Sequence, residues 1–284
     1  MSEYLLFTAP ILAGTQANWA LLATLAVQVY TFHVRFPNER RWIKILVYTV
    51  FPLELTQTGV SSHYAYWVLA LGWGNTTVLE ILPWSCLATP IFTGITAALV
   101  QILFAWRIYL LMRKTVWACV ITAVIVLLAM IQSVTILIVV VRFAHATAFT
   151  NVTKIGVGVK TWLIIAAVCD VFITTTLIII FHQYRIQLPA EERRTDTFMV
   201  KLMFNTVETG AVTSVTAIIY LVLFLLYPQT NLEKIPTFIL GKLYANVLLF
   251  TLNVRRFWAN HKTTEIGTFT SVYVTYTTTQ TTSV

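Results

Sequence analysis

The sequence predicts an all-α fold, a bundle of seven transmembrane helices. Three observations carry this. Only 11% of the 284 residues are charged and 58% are apolar, where a soluble domain carries about 25% charged residues. The mean hydropathy is +0.78. The apolar residues gather into seven runs, near 10–33, 43–64, 85–112, 116–142, 159–184, 199–227 and 236–254, and a helix crosses a bilayer with about 20 such residues. This composition excludes a disordered chain, a collagen, a disulfide-stapled mini-domain and an ordinary cytosolic enzyme. The runs are also too long for barrel strands, which span with about 9–11 alternating residues.

Each run has its own signature. The opening, MSEYLLFTAP, has no basic residue and carries Glu3, so no cleaved signal peptide is expected and the first run stays as a helix. The second run holds Pro52 two residues before Glu54, and proline frees a backbone carbonyl within a helix. The third holds Pro90 and no Asp or Glu, and the fourth reaches Arg142. The fifth carries Asp170 near its middle, and the sixth carries Glu208 in its inner third. The seventh carries Lys242 in its outer third, then Asn246 and Asn253. Residues 1–256 thus read as one membrane domain. Residues 257–284 read as a Thr-rich tail of low complexity, expected to be disordered and cytoplasmic.

Orientation follows from charge. Of the 19 Lys and Arg residues, fourteen flank the ends that follow the first, third, fifth and seventh runs: Arg35, Arg40, Arg41 and Lys44; Arg107, Arg113 and Lys114; Arg185, Arg193, Arg194 and Lys201; Arg255, Arg256 and Lys262. Five fall on the other side. The positive-inside rule then places the N-terminus outside and the C-terminus in the cytoplasm. Two N-x-[ST] sequons, at Asn75 and Asn151, fall in loops assigned to the outside and are glycosylation candidates. Tryptophans cluster at both predicted interfaces, where an apolar ring with a polar N–H is favoured. Only Trp19 falls mid-span, where packing between helices is expected. The net charge of +8 sits in short loops, so it reads as orientation and no nucleic-acid partner is expected. Cys86, Cys119 and Cys169 fall in different runs and suggest no disulfide framework.

An ionisable side chain within a span costs about 2.5–3.5 kcal/mol and normally faces the bundle interior with a partner. Glu54, Asp170, Glu208 and Lys242 are of this kind, and Gln57, Gln101, Asn246 and Asn253 accompany them. Glu54, Gln57 and Thr58 share one helix face by their spacing, as do Lys242, Asn246 and Asn253. These residues are the candidate polar core. The expectation is that Glu54, Asp170 and Lys242 face inward, with at least one carboxylate coupled to Lys242 directly or through Gln57 or Asn246. Three uses stay open at this point: a hydrogen-bonded lock between helices, a pocket for a small molecule, and a proton relay.

The motifs resemble a large family of uncharacterised fungal, mainly basidiomycete, seven-helix membrane proteins that carry a domain of unknown function. The likeness rests on VQVY (27–30), FPNERRW (36–42), LELTQT (53–58), Gln101, Arg107-Ile108, CDV (169–171), RRTD (193–196), TVETG (206–210) and KLYANVLLFTLNVRR (242–256). The resemblance implies the fold and a fungal source, and it implies no activity.

No catalytic residue, metal site or cofactor is expected. The five histidines form no H-x-x-H or H-E-x-x-H spacing, and no G-x-S-x-G or phosphate-cradling glycine loop is present. A retinal Schiff base on Lys242 is disfavoured by its depth and by the lack of an acidic residue in the third run. The reading is therefore a receptor-like integral membrane protein and not an enzyme, at the plasma membrane before internal membranes, with the lipid bilayer as its first partner. A cytoplasmic protein is a candidate partner of the 185–197 loop and the tail. G-protein coupling rests on shape alone, because D-R-Y and N-P-x-x-Y are both missing. The alternative is a transporter or channel for a small solute or ion.

Overall fold

The structure, a computed structural model, describes residues 2–72, 83–112, 115–144, 152–187, 198–228 and 230–254. Asn75, Asn151, most of the 185–197 loop and the Thr-rich tail lie outside these residues. The described residues form seven helices and no strand. They are α1 (Ser2–Arg35), α2 (Arg41–Tyr66), α3 (Trp84–Leu111), α4 (Val116–Ala144), α5 (Val152–Gln187), α6 (Phe198–Leu226) and α7 (Lys234–Val254). A π-helical turn, Trp67–Leu71, continues α2.

Six of the seven are long and apolar enough to cross a membrane, and α2 is the exception. Of the seven runs expected to span, length and hydropathy thus support six. Arg41, Lys44, Glu54, Gln57, Thr58, Ser61 and His63 all lie in α2 and lower its hydropathy. Glu54, Gln57, Thr58 and Ser61 are buried there, so protein rather than lipid surrounds that face. Several helices also outrun the predicted apolar stretches. The backbone hydrogen bonds of a helix close within the segment, so the helix need not stop at the hydrocarbon boundary.

Consecutive helices pack on one another from α1 through α6, and α3 also meets α5. The seventh helix is the most enclosed: 72% of its span is buried, against 28% for α1, α4 and α6. Ala245, Leu248, Leu249 and Leu252 of α7 join the core with Val47 and Val50 of α2 and Val100 and Ile108 of α3. By contrast, α4 exposes Val120, Val124, Leu127, Ile131, Val134 and Ile138. That three-to-four spacing is a lipid-facing stripe.

One glycine sets the approach of α1 to α7. A Cβ on Gly14 would lie 2.9 Å from Phe238 Cδ2, 3.2 Å from the Ile235 Cα and 3.3 Å from the Lys234 carbonyl oxygen. Two of these three are backbone atoms that cannot turn away. Gly14→Val is expected to lower thermal stability in lipid by about 1–3 kcal/mol, the usual range for overpacking, as read from a thermal unfolding series. Gly59, on the neighbouring helix, has no atom within 4 Å of such a Cβ, and Gly59→Ala is the control expected to leave stability nearly unchanged.

Trp19 departs from its expected place between helices. Its side chain is exposed, and the indole N–H donates to Ser62 Oγ at 3.0 Å. The ring faces outward from the bundle while its one polar atom is satisfied from α2.

Candidate functional site

Two buried polar networks lie on opposite sides of α7. Both arise because α7 carries polar residues on more than one face, so it can be satisfied only from several neighbours at once.

The first network joins α1, α2, α3 and α7 around a charge pair. Lys242 and Glu54 have no solvent exposure. Lys242 Nζ lies 2.6 Å from Glu54 Oε2, donates to the Glu54 backbone oxygen at 2.7 Å, and donates to Gln57 Oε1. An ammonium has three donors, and these acceptors use all three. The other carboxylate oxygen, Glu54 Oε1, accepts the Thr96 hydroxyl at 2.6 Å. Thr58 Oγ1 donates to Asn18 Oδ1 at 2.8 Å, and Asn18 Nδ2 donates to the Phe238 carbonyl at 3.0 Å. Taking two charges out of water is expensive, and attraction repays it only when the remaining polar atoms are also bonded. Here they are.

A glycine makes room for this arrangement. A Cβ on Gly241 would lie 3.2 Å from Glu54 Oε1 and 3.3 Å from Thr93 Oγ1. The carboxylate thus sits against the bare backbone of α7, one residue from the lysine that it pairs with.

The second network joins α3, α4, α5 and α7. Asp170 Oδ1 accepts Gln101 Nε2 at 3.0 Å, and Asp170 Oδ2 accepts the Tyr244 hydroxyl. Gln132 Nε2 of α4 donates to Gln101 Oε1. Tyr244 follows Lys242 by two residues, a rise of about 3 Å and a turn of roughly 200°. The two networks therefore lie at nearly one depth on opposite faces of α7, and α3 contributes Thr96 to one and Gln101 to the other.

The sequence-derived candidates divide as follows. Glu54, Gln57 and Lys242 meet directly, and Gln101 meets Asp170. Asn246 and Asn253 do not join the charge pair but tie α7 to α1. Asn246 Nδ2 donates to the Leu21 carbonyl at 3.1 Å, and Asn253 Nδ2 donates to the Gln28 carbonyl at 2.9 Å. Their Oδ1 atoms, like Gln132 Oε1, accept no hydrogen bond among the described residues.

Glu208 stands apart, contrary to the expectation that it joins the core. Its side chain is exposed, on the α6 face that also exposes Phe204 and Val212. The opposite face, with Gly210 and Ser214, packs on α5 through a 2.8 Å contact between the Thr174 and Ser214 hydroxyls.

Sequence reasoning missed Thr96, Asn18 and Tyr244. Asn18 is open to the argument that selected the others, because a carboxamide within an apolar run calls for a partner. Threonine is common in membrane helices, where its hydroxyl bonds its own backbone. Many do so here, as Thr93 does to Thr89, so Thr96 gave no distinguishing signal.

The profile of a family of unknown function, DUF6534, matches residues 166–257. No curated protein and no solved structure matches the chain. The matched stretch holds Asp170, Lys242, Tyr244, Asn246 and Asn253 on α5 and α7; Glu54 and Gln57, which bond Lys242, and Gln101, which bonds Asp170, come from the part of the chain before it.

Proposed function

We propose that this is a receptor-like seven-helix membrane protein in which the Glu54–Lys242 pair is a two-state latch between α2 and α7, set by a small polar ligand. The observation that carries the reading is the fully buried, fully bonded charge pair. Ordinary interhelical hydrogen bonds contribute about 0.6 kcal/mol each, whereas a charge within a span costs several times that. Charges kept there suit a contact with two discrete states. A ligand carrying an ammonium or a carboxylate competes for one partner and releases the other.

In this reading all seven helices cross the bilayer, with the N-terminus outside and the C-terminus in the cytoplasm. The fourteen-to-five division of Lys and Arg supports that orientation. The plasma membrane is the assigned location. The 185–197 loop and the Thr-rich tail face a cytoplasmic partner, and the sequence resemblance supports a fungal source. No reaction is assigned to the chain.

A transporter for a small solute or ion is the second reading. It is favoured by Asn246 and Asn253, whose bare oxygens lie at two levels of α7, about 10 Å apart, as stations for a cation would.

Access tests the two. Ser61 is buried one turn from Gln57 on α2. Ser61→Cys, in a chain whose own three cysteines are replaced by serine, is treated in sealed membranes with an impermeant maleimide. The receptor reading expects labelling from the N-terminal side alone, unaffected by ion gradients. Labelling from both sides in a gradient-dependent manner would replace it with transport. A C-terminal tag cleaved by protease outside intact cells would overturn the orientation.

A further inference from the structure

One end of the α2–α3 pair carries a feature that the latch does not use. A cleft of about 410 Å³ runs between the two helices. Trp42, Ile45 and Thr49 form one wall, and Ile102, Leu103 and Trp106 form part of the other. The volume falls within the range of small-molecule sites, about 300–1,000 Å³. Spacings of three and four on both helices make each wall a single helix face, and from Trp42 to Thr49 the cleft runs about 10 Å along α2.

Its long sides are hydrocarbon, and Ile45 and Ile102 are exposed toward the surroundings of the bundle. The cleft therefore opens sideways into lipid. At one end the Trp42 and Trp106 rings meet edge to face with centroids 4.8 Å apart. Paired indoles mark the level at which hydrocarbon gives way to headgroups.

Beyond the indoles the chemistry changes sign. Arg40 and Arg41 precede Trp42 and are exposed. Arg41 lies one turn before Ile45, at the flank of the cleft. Arg107 follows Trp106, its guanidinium carbon 5.9 Å from the Phe104 ring centroid. Lys44 is held at the same end by the Pro37 carbonyl. Glu39 is the one acid among residues 37–44.

We propose that this cleft binds one anionic phospholipid from the adjacent leaflet, with an acyl chain along the Ile45–Thr49 wall and the phosphate at Arg40 and Arg41. Apolar walls alone suit any chain in the bilayer; the basic cap beyond the indoles selects the headgroup. The site depends on the membrane assignment and is independent of the latch and of which face is cytoplasmic.

The test uses the full chain purified from nanodiscs containing phosphatidylcholine with a minor share of phosphatidylserine, and reads retained lipid by native mass spectrometry. Phosphatidylserine is expected to be retained in preference, at one molecule per chain. A basic residue near an anionic lipid contributes about 1 kcal/mol, which corresponds to roughly fivefold in occupancy. R40Q and R41Q are each expected to reduce retention by about that factor. I102W fills the cleft from its open side and is expected to abolish the one-to-one species. A thermal unfolding curve of each variant confirms folding, and R40K/R41K, which keeps the charge, is expected to retain the lipid should I102W fail to fold. Equal retention of the two phospholipids, retention unchanged in R40Q/R41Q, or preferential retention of a sterol from nanodiscs that contain one would each overturn the proposal.

Discussion

Lys242→Met is expected to destabilise the bundle by about 3 kcal/mol or more, the range seen when one partner of a buried pair is removed. Glu54 would keep the Thr96 hydroxyl at 2.6 Å but would lose the ammonium that it pairs with at 2.6 Å. Glu54→Gln is expected to act in the same direction, because an ammonium with three acceptors would lose the charged one. The informative variant is E54Q/K242M. A pair of well-packed neutral groups can replace a buried ion pair at little cost, so the double variant should lie well above the sum of the singles. Thermal unfolding in one lipid composition gives all four corners of the cycle. Additive losses would mean that the two side chains act separately despite their contact.

Asp170→Ala is the second large effect expected. It removes the acceptor of two donors at once, Gln101 Nε2 and the Tyr244 hydroxyl. Each stranded buried donor costs about 1–3 kcal/mol, which gives a loss of roughly 2–6 kcal/mol if neither finds a new partner. Asp170→Asn keeps one carbonyl oxygen in place and is expected to cost less. Tyr244→Phe in the Asp170→Ala background should recover part of the loss, because one stranded donor is then gone. The same unfolding assay reads this, and failure of Tyr244→Phe to recover any stability would show that the hydroxyl finds another acceptor.

Much of the fold was legible because a bilayer leaves few choices. A run of about 20 apolar residues with no water to satisfy its backbone must be a helix. That logic placed α1 and α3 to α7 from hydropathy alone. It was least apt for α2, whose polar face is covered by α1, α3 and α7 and so need not be apolar.

The candidate site was legible in part for a related reason. Carboxylates and a lysine within spans announce themselves by their cost, and Glu54, Asp170 and Lys242 are indeed buried. Which carboxylate meets Lys242 depends on how the helices turn and adjoin, which periodicity does not encode. Tyr244 shows this well. It lies two residues from Lys242 and faces the other network, with nothing in its sequence neighbourhood to mark it. Glu208 fails in the opposite sense. It has the same residue type within a span, but it lies on the outward face of α6 with Phe204 and Val212, and residue type alone does not tell which face of a helix turns inward.

The central claim is that the Glu54–Lys242 contact has two states, and inter-helix distance tests it most directly. Leu55 of α2 and Phe250 of α7 both point outward and accept spin labels without touching either network. Distance distributions are then measured by pulsed electron spin resonance in nanodiscs for the wild-type pair and for E54Q/K242M. The latch predicts one narrow distance with the pair intact and a second, distinct distance once it is neutralised, in a protein that still unfolds cooperatively. A single unchanged distance in both would contradict the latch and leave the pair as a static tie between α2 and α7.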